Sequence, residues 1–150
     1  MTTTTPPTLV IVSGYFGPIH VGHLDMIEAG AAAGDELFVV VNNNAQQMMK
    51  KGKVVIDEAD RLRIVKALRA VDHAMVAVDE DGTVCASLEA IATRFPDHRI
   101  VFGNGGDDRK NNEEVPESAV CRTFDIEMVF GMGGLNKADS SSRLIEELDL

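Results

Sequence analysis

Gly14-Tyr15-Phe16-Gly17-Pro18-Ile19-His20-Val21-Gly22-His23 is the stretch from which the rest of the chain can be read. Before it stands Leu9-Val10-Ile11-Val12-Ser13, short, apolar and β-branched, as a buried parallel strand is. After it, Leu24 to Ala33 consists of helix formers, with Leu24, Ile27 and Ala31 on one face. The order is strand, glycine-containing turn, helix. That geometry aims the unpaired N–H groups and positive dipole end of a helix start at whatever fills the turn. His20 and His23, three residues apart, fall on the same side of the first helical turn, and Gly22 between them lets a ligand approach the backbone. Such an arrangement suits a polyphosphate.

Working outward, the chain alternates. Strands are predicted at Leu9–Ser13, Glu36–Val41, His73–Val78, Arg99–Phe102 and Ile126–Phe130. Helices are predicted at Val21–Ala33, Glu58–Ala70 with Asp57 as N-cap, Val84–Phe95, around Pro116–Arg122, and from the Ser140-Ser141-Ser142 run to about Leu148. A polar loop is expected from Asn42 through Lys50-Lys51-Gly52-Lys53 to about Ile56. This alternation implies one α/β Rossmann-like domain over 9–150, an about five-stranded parallel sheet with helices on both faces, preceded by a flexible tail at 1–8. The ligand crevice of such a sheet lies at the carboxyl ends of its strands, where loops 14–22, 42–56, 79–83, 103–112 and 131–140 gather.

Composition narrows the function. The 150 residues carry a formal net charge of −10, which argues against nucleic acid as a partner. No apolar run reaches membrane-spanning length and no secretory signal opens the chain, so a cytoplasmic protein without membrane attachment is expected. The two cysteines, Cys85 and Cys121, stand outside metal-type spacings and fit a reduced compartment. The chain has no Lys or Arg before Lys50, and then seven of its fourteen fall between Lys50 and Arg69. Cations concentrated in this way make a candidate anion-binding surface, or else a solvated helix face with its loop.

The pattern G-x-F-x-P-x-H-x-G-H, carried by Gly14, Phe16, Pro18, His20, Gly22 and His23, resembles the signature of the HxGH nucleotidylyltransferase superfamily. The run Arg61 to Asp72 resembles the R-x7-R-x2-D helix of the small cytidylyltransferases of the glycerol-3-phosphate type. Phe95-Pro96-Asp97 followed by Gly106-Asp107-Asp108 is similar to their fourth strand and its end, and Ser140-Ser141-Ser142 stands where they begin a final helix. The resemblance implies transfer of a nucleotidyl group from a nucleoside triphosphate to a small phosphorylated acceptor, with release of pyrophosphate. CMP from CTP is the first expectation. The Pro18-Ile19-His20 wording is closer to adenylyltransferases, which leaves ATP with a mononucleotide or flavin-type acceptor as the alternative. A catalytically inactive nucleotide-binding protein is the other.

The same resemblance implies catalytic roles for His20, His23, Lys50 and Arg61. It implies nucleotide contacts at Gly14, Tyr15, Phe16, Gly22, Gly106, Asp107, Ser140, Ser141 and Ser142, and acceptor contacts at Lys51 and Arg69. A Mg²⁺ ion held mainly by phosphate oxygens and water is implied, as is a homodimer. The chain departs from the family at Gly17, where an Asp is usual, at Asn42-Asn43-Asn44, where an Asp is common, and at Leu135, where an arginine is usual.

Overall fold

The computed structural model describes residues 5–105 and 115–132, the side chains of 104 and 105 excepted. Strand β1, Thr8–Gly14, leads into helix α1, Val21–Ala32, and then strand β2, Glu36–Val41. Helices α2, Asn44–Lys51, and α3, Glu58–Lys66, precede strand β3, His73–Val76. Helix α4, Cys85–Arg94, strand β4, Arg99–Gly105, helix α5, Ser118–Thr123, and strand β5, Glu127–Met132, follow. The five strands form one sheet in the order β3-β2-β1-β4-β5, and each pair is parallel. This is the expected α/β Rossmann-like architecture. Among the described residues no helix is long and apolar enough to cross a membrane.

The period-2 alternation of the strands divides the core. Leu9, Ile11, Phe38, Val40, Ile100 and Phe102 face α4 and α5 and meet Leu88, Ile91 and Cys121. Val10, Val12, Leu37, Val39, Val41 and Val101 face α1 and α3 and meet Ile27 and Val65. Both faces of the central strands are covered, which is why their sequences run apolar without interruption.

The polar segment after β2 does not stay a loop. It folds as α2, because Asn43 caps the helix with its side chain accepting from the Gln46 amide, while Gln46 Oε1 accepts from the Asn43 amide. Helix α3 ends at Lys66, earlier than predicted, when the Ala67 and Leu68 amides turn back onto carbonyls only three residues behind. The chain is then pinned at Asp72, whose carboxylate accepts from the Leu37 amide at 2.8 Å. Strand β3 is shorter than predicted: the Val78 amide leaves the ladder to donate to Ser87 Oγ at 3.0 Å. Strand β1 begins at Thr8 and β4 runs on to Gly105. The predicted final helix lies outside the described residues.

Candidate active site at the first turn

The turn after β1 is closed by its own aromatic ring. Phe16 takes a left-handed backbone conformation, φ 53°, and its buried ring folds back over Gly14. A Cβ on Gly14 would stand 2.8 Å from Phe16 Cζ, so glycine at 14 is a packing requirement. The same ring meets His23 edge to face, centroids 4.8 Å apart.

His20 is the N-cap of α1. Its Nδ1 accepts from the Gly22 amide at 3.1 Å, and His23 Nδ1 accepts from the His20 amide at 3.2 Å. The two rings stack with centroids 3.9 Å apart. This is a capping box in which two imidazoles replace the usual hydroxyl and carboxylate. It has a chemical consequence. A ring nitrogen that accepts from a backbone amide carries no proton, so in the neutral rings the hydrogen sits on Nε2 and both histidines are Nε2–H donors. No acidic side chain stands in the first turn of α1 to neutralise the helix end.

The other side of the turn is held by Arg61. Its side chain is fully buried, and its guanidinium points inward. Nε donates to the Ile56 carbonyl at 2.8 Å, and Nη1 donates to the carbonyls of Tyr15 at 2.8 Å and Asn42 at 2.6 Å. Nη2 donates to Asn44 Oδ1 at 2.9 Å. Arg61 therefore ties the ends of β1 and β2 to the start of α3, and four of its five N–H groups are engaged on protein oxygens. The arginine expected to be catalytic thus has one N–H, on Nη2, beyond those four bonds.

Lys50 and Lys51, in the last turn of α2, stand on the side of that helix facing the turn, with Lys50 Nζ 4.6 Å from the centroid of the Tyr15 ring. Partial burial raises the Tyr15 hydroxyl pKa, with the Arg61 charge opposing the shift. Arg69 is not brought to this cleft. The shorter α3 leaves it exposed in the connection to β3, at the amino end of the strands, not on one helical face with Arg61. Gly106, Asp107, Ser140, Ser141 and Ser142 lie outside the described residues, as does Leu135.

The carboxamides after β2 are the part that residue-by-residue reading missed. Gln46 is fully buried and its amide donates to the carbonyls of Asp81 and Thr83, both at 2.8 Å. Asn43 Nδ2 donates to the carbonyls of Ala77 and Asp79 at 3.0 and 2.9 Å. These bonds lock α2 to the end of β3, so the asparagines where an Asp is common serve as scaffold. The spacing Asn43-x-x-Gln46 is itself a capping-box signature and was the available signal. Buried Asp79 binds the start of α4, accepting from the amides of Ala86 and Ser87 at 2.6 and 3.2 Å. Both cysteines are free thiols, and burial pushes the pKa of Cys121 up to about 11, far from reactivity.

A parallel sheet whose first crossover helix opens on two imidazoles, with lysines on the facing helix, is an α/β domain with a helix mouth of the kind that can receive phosphate groups. The chain belongs to the cytidylyltransferase-like family, whose model matches residues 11–145. It is 30% identical over 142 residues to the FAD synthase of Pyrococcus horikoshii, covering 93% of this chain and 90% of that protein. It is 39% identical over 74 residues to the FAD synthase of Methanohalophilus mahii, covering 49% of this chain. It is also 37% identical over 89 residues to that of Pyrococcus abyssi, covering 59%. The aligned stretches span only 51% and 57% of those two relatives. The lipopolysaccharide core biosynthesis protein of Thermoplasma volcanium shares the fold, with a TM-score of 0.64 at 22% identity over 89% of this chain and 99% of that one.

Proposed function

We propose that the protein transfers AMP from ATP to a small phosphate-bearing acceptor, with FMN the acceptor to test first. The reciprocal histidine cap carries this reading, since it presents two neutral donors at a helix mouth where phosphate charge gathers. The FAD synthase relatives support ATP and a flavin phosphate over the CTP expected from the motif alone.

In the proposed reaction a phosphate oxygen of the acceptor attacks the α-phosphorus of the triphosphate in line, and the bond to the β-phosphate bridging oxygen breaks, releasing pyrophosphate. His20 and His23 donate from Nε2 to phosphate oxygens as charge grows on the leaving group, which is stabilisation by fixed donors. The amides of the first turn of α1 add their dipoles. Lys50 and Lys51 approach from α2 as mobile point charges. Arg61 acts behind them by fixing the carbonyls of Tyr15 and Asn42, and so the shape of the turn. Among the described residues no group of three or more His, Cys, Asp or Glu could hold a metal. A divalent ion would enter with the triphosphate, held mainly by phosphate oxygens and water.

The test is pyrophosphate release by the full chain with Mg·ATP and FMN, run beside CTP and glycerol 3-phosphate. Release with ATP and FMN supports the reading. The family's cytidylyltransferase-like description keeps a second reading, CMP transfer to a polyol phosphate, and release only in the CTP arm would favour it. Tight nucleotide binding without release in either arm would point to an inactive nucleotide-binding protein.

A further inference from the structure

Five of the six residues from Asn42 to Gln47 carry carboxamides, and four of those are hydrogen-bonded within the fold. Gln47 is the exception. It is 1% exposed, and neither its Oε1 nor its Nε2 has a partner among the described residues. Its neighbour Gln46, on the same helix and as deeply buried, spends both atoms of its amide. A buried amide with both ends unpaired destabilises the fold unless something else satisfies it.

The position of that amide says where its partner comes from. A Cβ on Gly17 would lie 3.3 Å from Gln47 Oε1, 3.6 Å from Nε2 and 3.1 Å from Arg61 Cδ. The carboxamide therefore lies directly over the turn between β1 and the histidine cap, where residue 17 has no side chain to intervene. Lys50 and Lys51 are three and four residues further along α2, on the same side of the helix, and Lys50 reaches Tyr15 of that turn. The terminal torsion of Gln is broad, so a small rotation turns the amide toward a group lying in the turn.

We propose that Gln47 is a specificity residue for the acceptor, and that it recognises adjacent hydroxyls of a polyol phosphate. The inference rests on the nucleotidyl-transfer reading. A phosphate oxygen satisfies only the Nε2–H end of the amide and an ammonium satisfies only Oε1. Neighbouring hydroxyls satisfy both, because each hydroxyl donates and accepts. The ribityl chain of FMN and the glycerol of glycerol 3-phosphate share this chemistry. With no carboxylate at residue 17, the turn adds no negative charge against an anionic acceptor.

The experiment uses the full chain and the variant Gln47→Met, a straight chain of similar size without hydrogen-bonding ends. Melting temperature without ligand is measured first, then KM for the triphosphate and for FMN, glycerol 3-phosphate and propyl phosphate, which lacks the hydroxyls. The expected result is an unchanged or raised melting temperature, triphosphate KM within two-fold, and KM for the polyol phosphates raised ten-fold or more. The wild-type preference for glycerol 3-phosphate over propyl phosphate should collapse in the variant. A preference that survives the substitution overturns the proposal, as does a fall in melting temperature with KM unchanged, which marks a purely structural glutamine. Wild-type turnover with another phosphorylated acceptor but with neither polyol phosphate also overturns it while leaving nucleotidyl transfer standing. No pyrophosphate release with any acceptor would instead remove the transferase reading on which the proposal rests.

Discussion

His20 caps α1 through Nδ1, the proposed reaction gives its Nε2 a second duty, and substitution can separate the two. Removing the ring in His20→Ala deletes the N-cap, a loss of about 1 kcal/mol, and deletes a donor worth two or more orders of magnitude in turnover. His20→Asn keeps a capping oxygen for the Gly22 amide but offers no equivalent of the Nε2–H. It should recover most of the melting temperature and none of the rate, and equal rates for Asn and wild type would remove the histidine from the chemistry. Arg61 behaves differently from the lysines. Arg61→Met leaves the carbonyls of Tyr15, Asn42 and Ile56 buried without a donor, so unfolding stability should fall by about 3–5 kcal/mol. Lys50→Ala should leave the denaturation midpoint nearly unchanged and raise KM for the triphosphate. If the two variants show the reverse pattern, the division between scaffold and ligand contact drawn here is wrong.

Helix α2 shows what a helix can be made of when the residues it buries, Gln46 and Gln47, are polar. Its cap is Asn43 with Gln46, and its anchor is the Gln46 amide on the carbonyls of Asp81 and Thr83. Gln46→Leu keeps much of the volume but strands those carbonyls, and should cost about 2–4 kcal/mol while loosening the lysines at the helix end. Amide exchange across 44–51 would reveal it, and protection equal to wild type would contradict the anchor. This element also marks the limit of what periodicity could read. Strands β1 and β2 were legible because apolar β-branched runs suit a sheet covered on both sides. The turn into α1 was legible because Gly14, Phe16, Pro18, His20, Gly22 and His23 form a long pattern. The fate of 42–56 was not, since polar residues between a strand and a helix look alike whether they face solvent or bond the next loop. The inward turn of Arg61 and the unpaired amide of Gln47 depend on contacts between segments far apart in the chain.

Across the whole molecule, the amino end of the sheet, away from the turn into α1, is fastened by a clasp of one carboxylate and two imidazoles. Glu36, at the start of β2, accepts from His73 Nε2 at 2.9 Å and His98 Nε2 at 2.6 Å, joining β2 to β3 and to the approach to β4. Hydrogen bonds from His73 and then His98 lower the Glu36 carboxyl pKa below that of an ordinary glutamate. A folded-state pKa below the unfolded one means stabilisation that is present above the unfolded glutamate pKa and lost as pH falls through the folded value. The carboxylate is partly exposed, so the contribution is small, at most about 1 kcal/mol. Glu36→Gln should therefore lower stability slightly at neutral pH and match wild type at the acid end. An undiminished gap in acid would mean the clasp acts through packing. Because the clasp and the turn into α1 lie at opposite ends of the strands, this substitution should leave KM for the proposed triphosphate untouched.

The paired histidines lead one step further. The hydrogen bonds that begin α1 also decide which ring atom bears hydrogen, so any molecule that has wound its first helix already displays its donors in working order. Under the proposed transfer, substrate arrival would have no tautomeric rearrangement to wait for, and a sequence that spoiled the winding would forfeit reactivity at the same stroke.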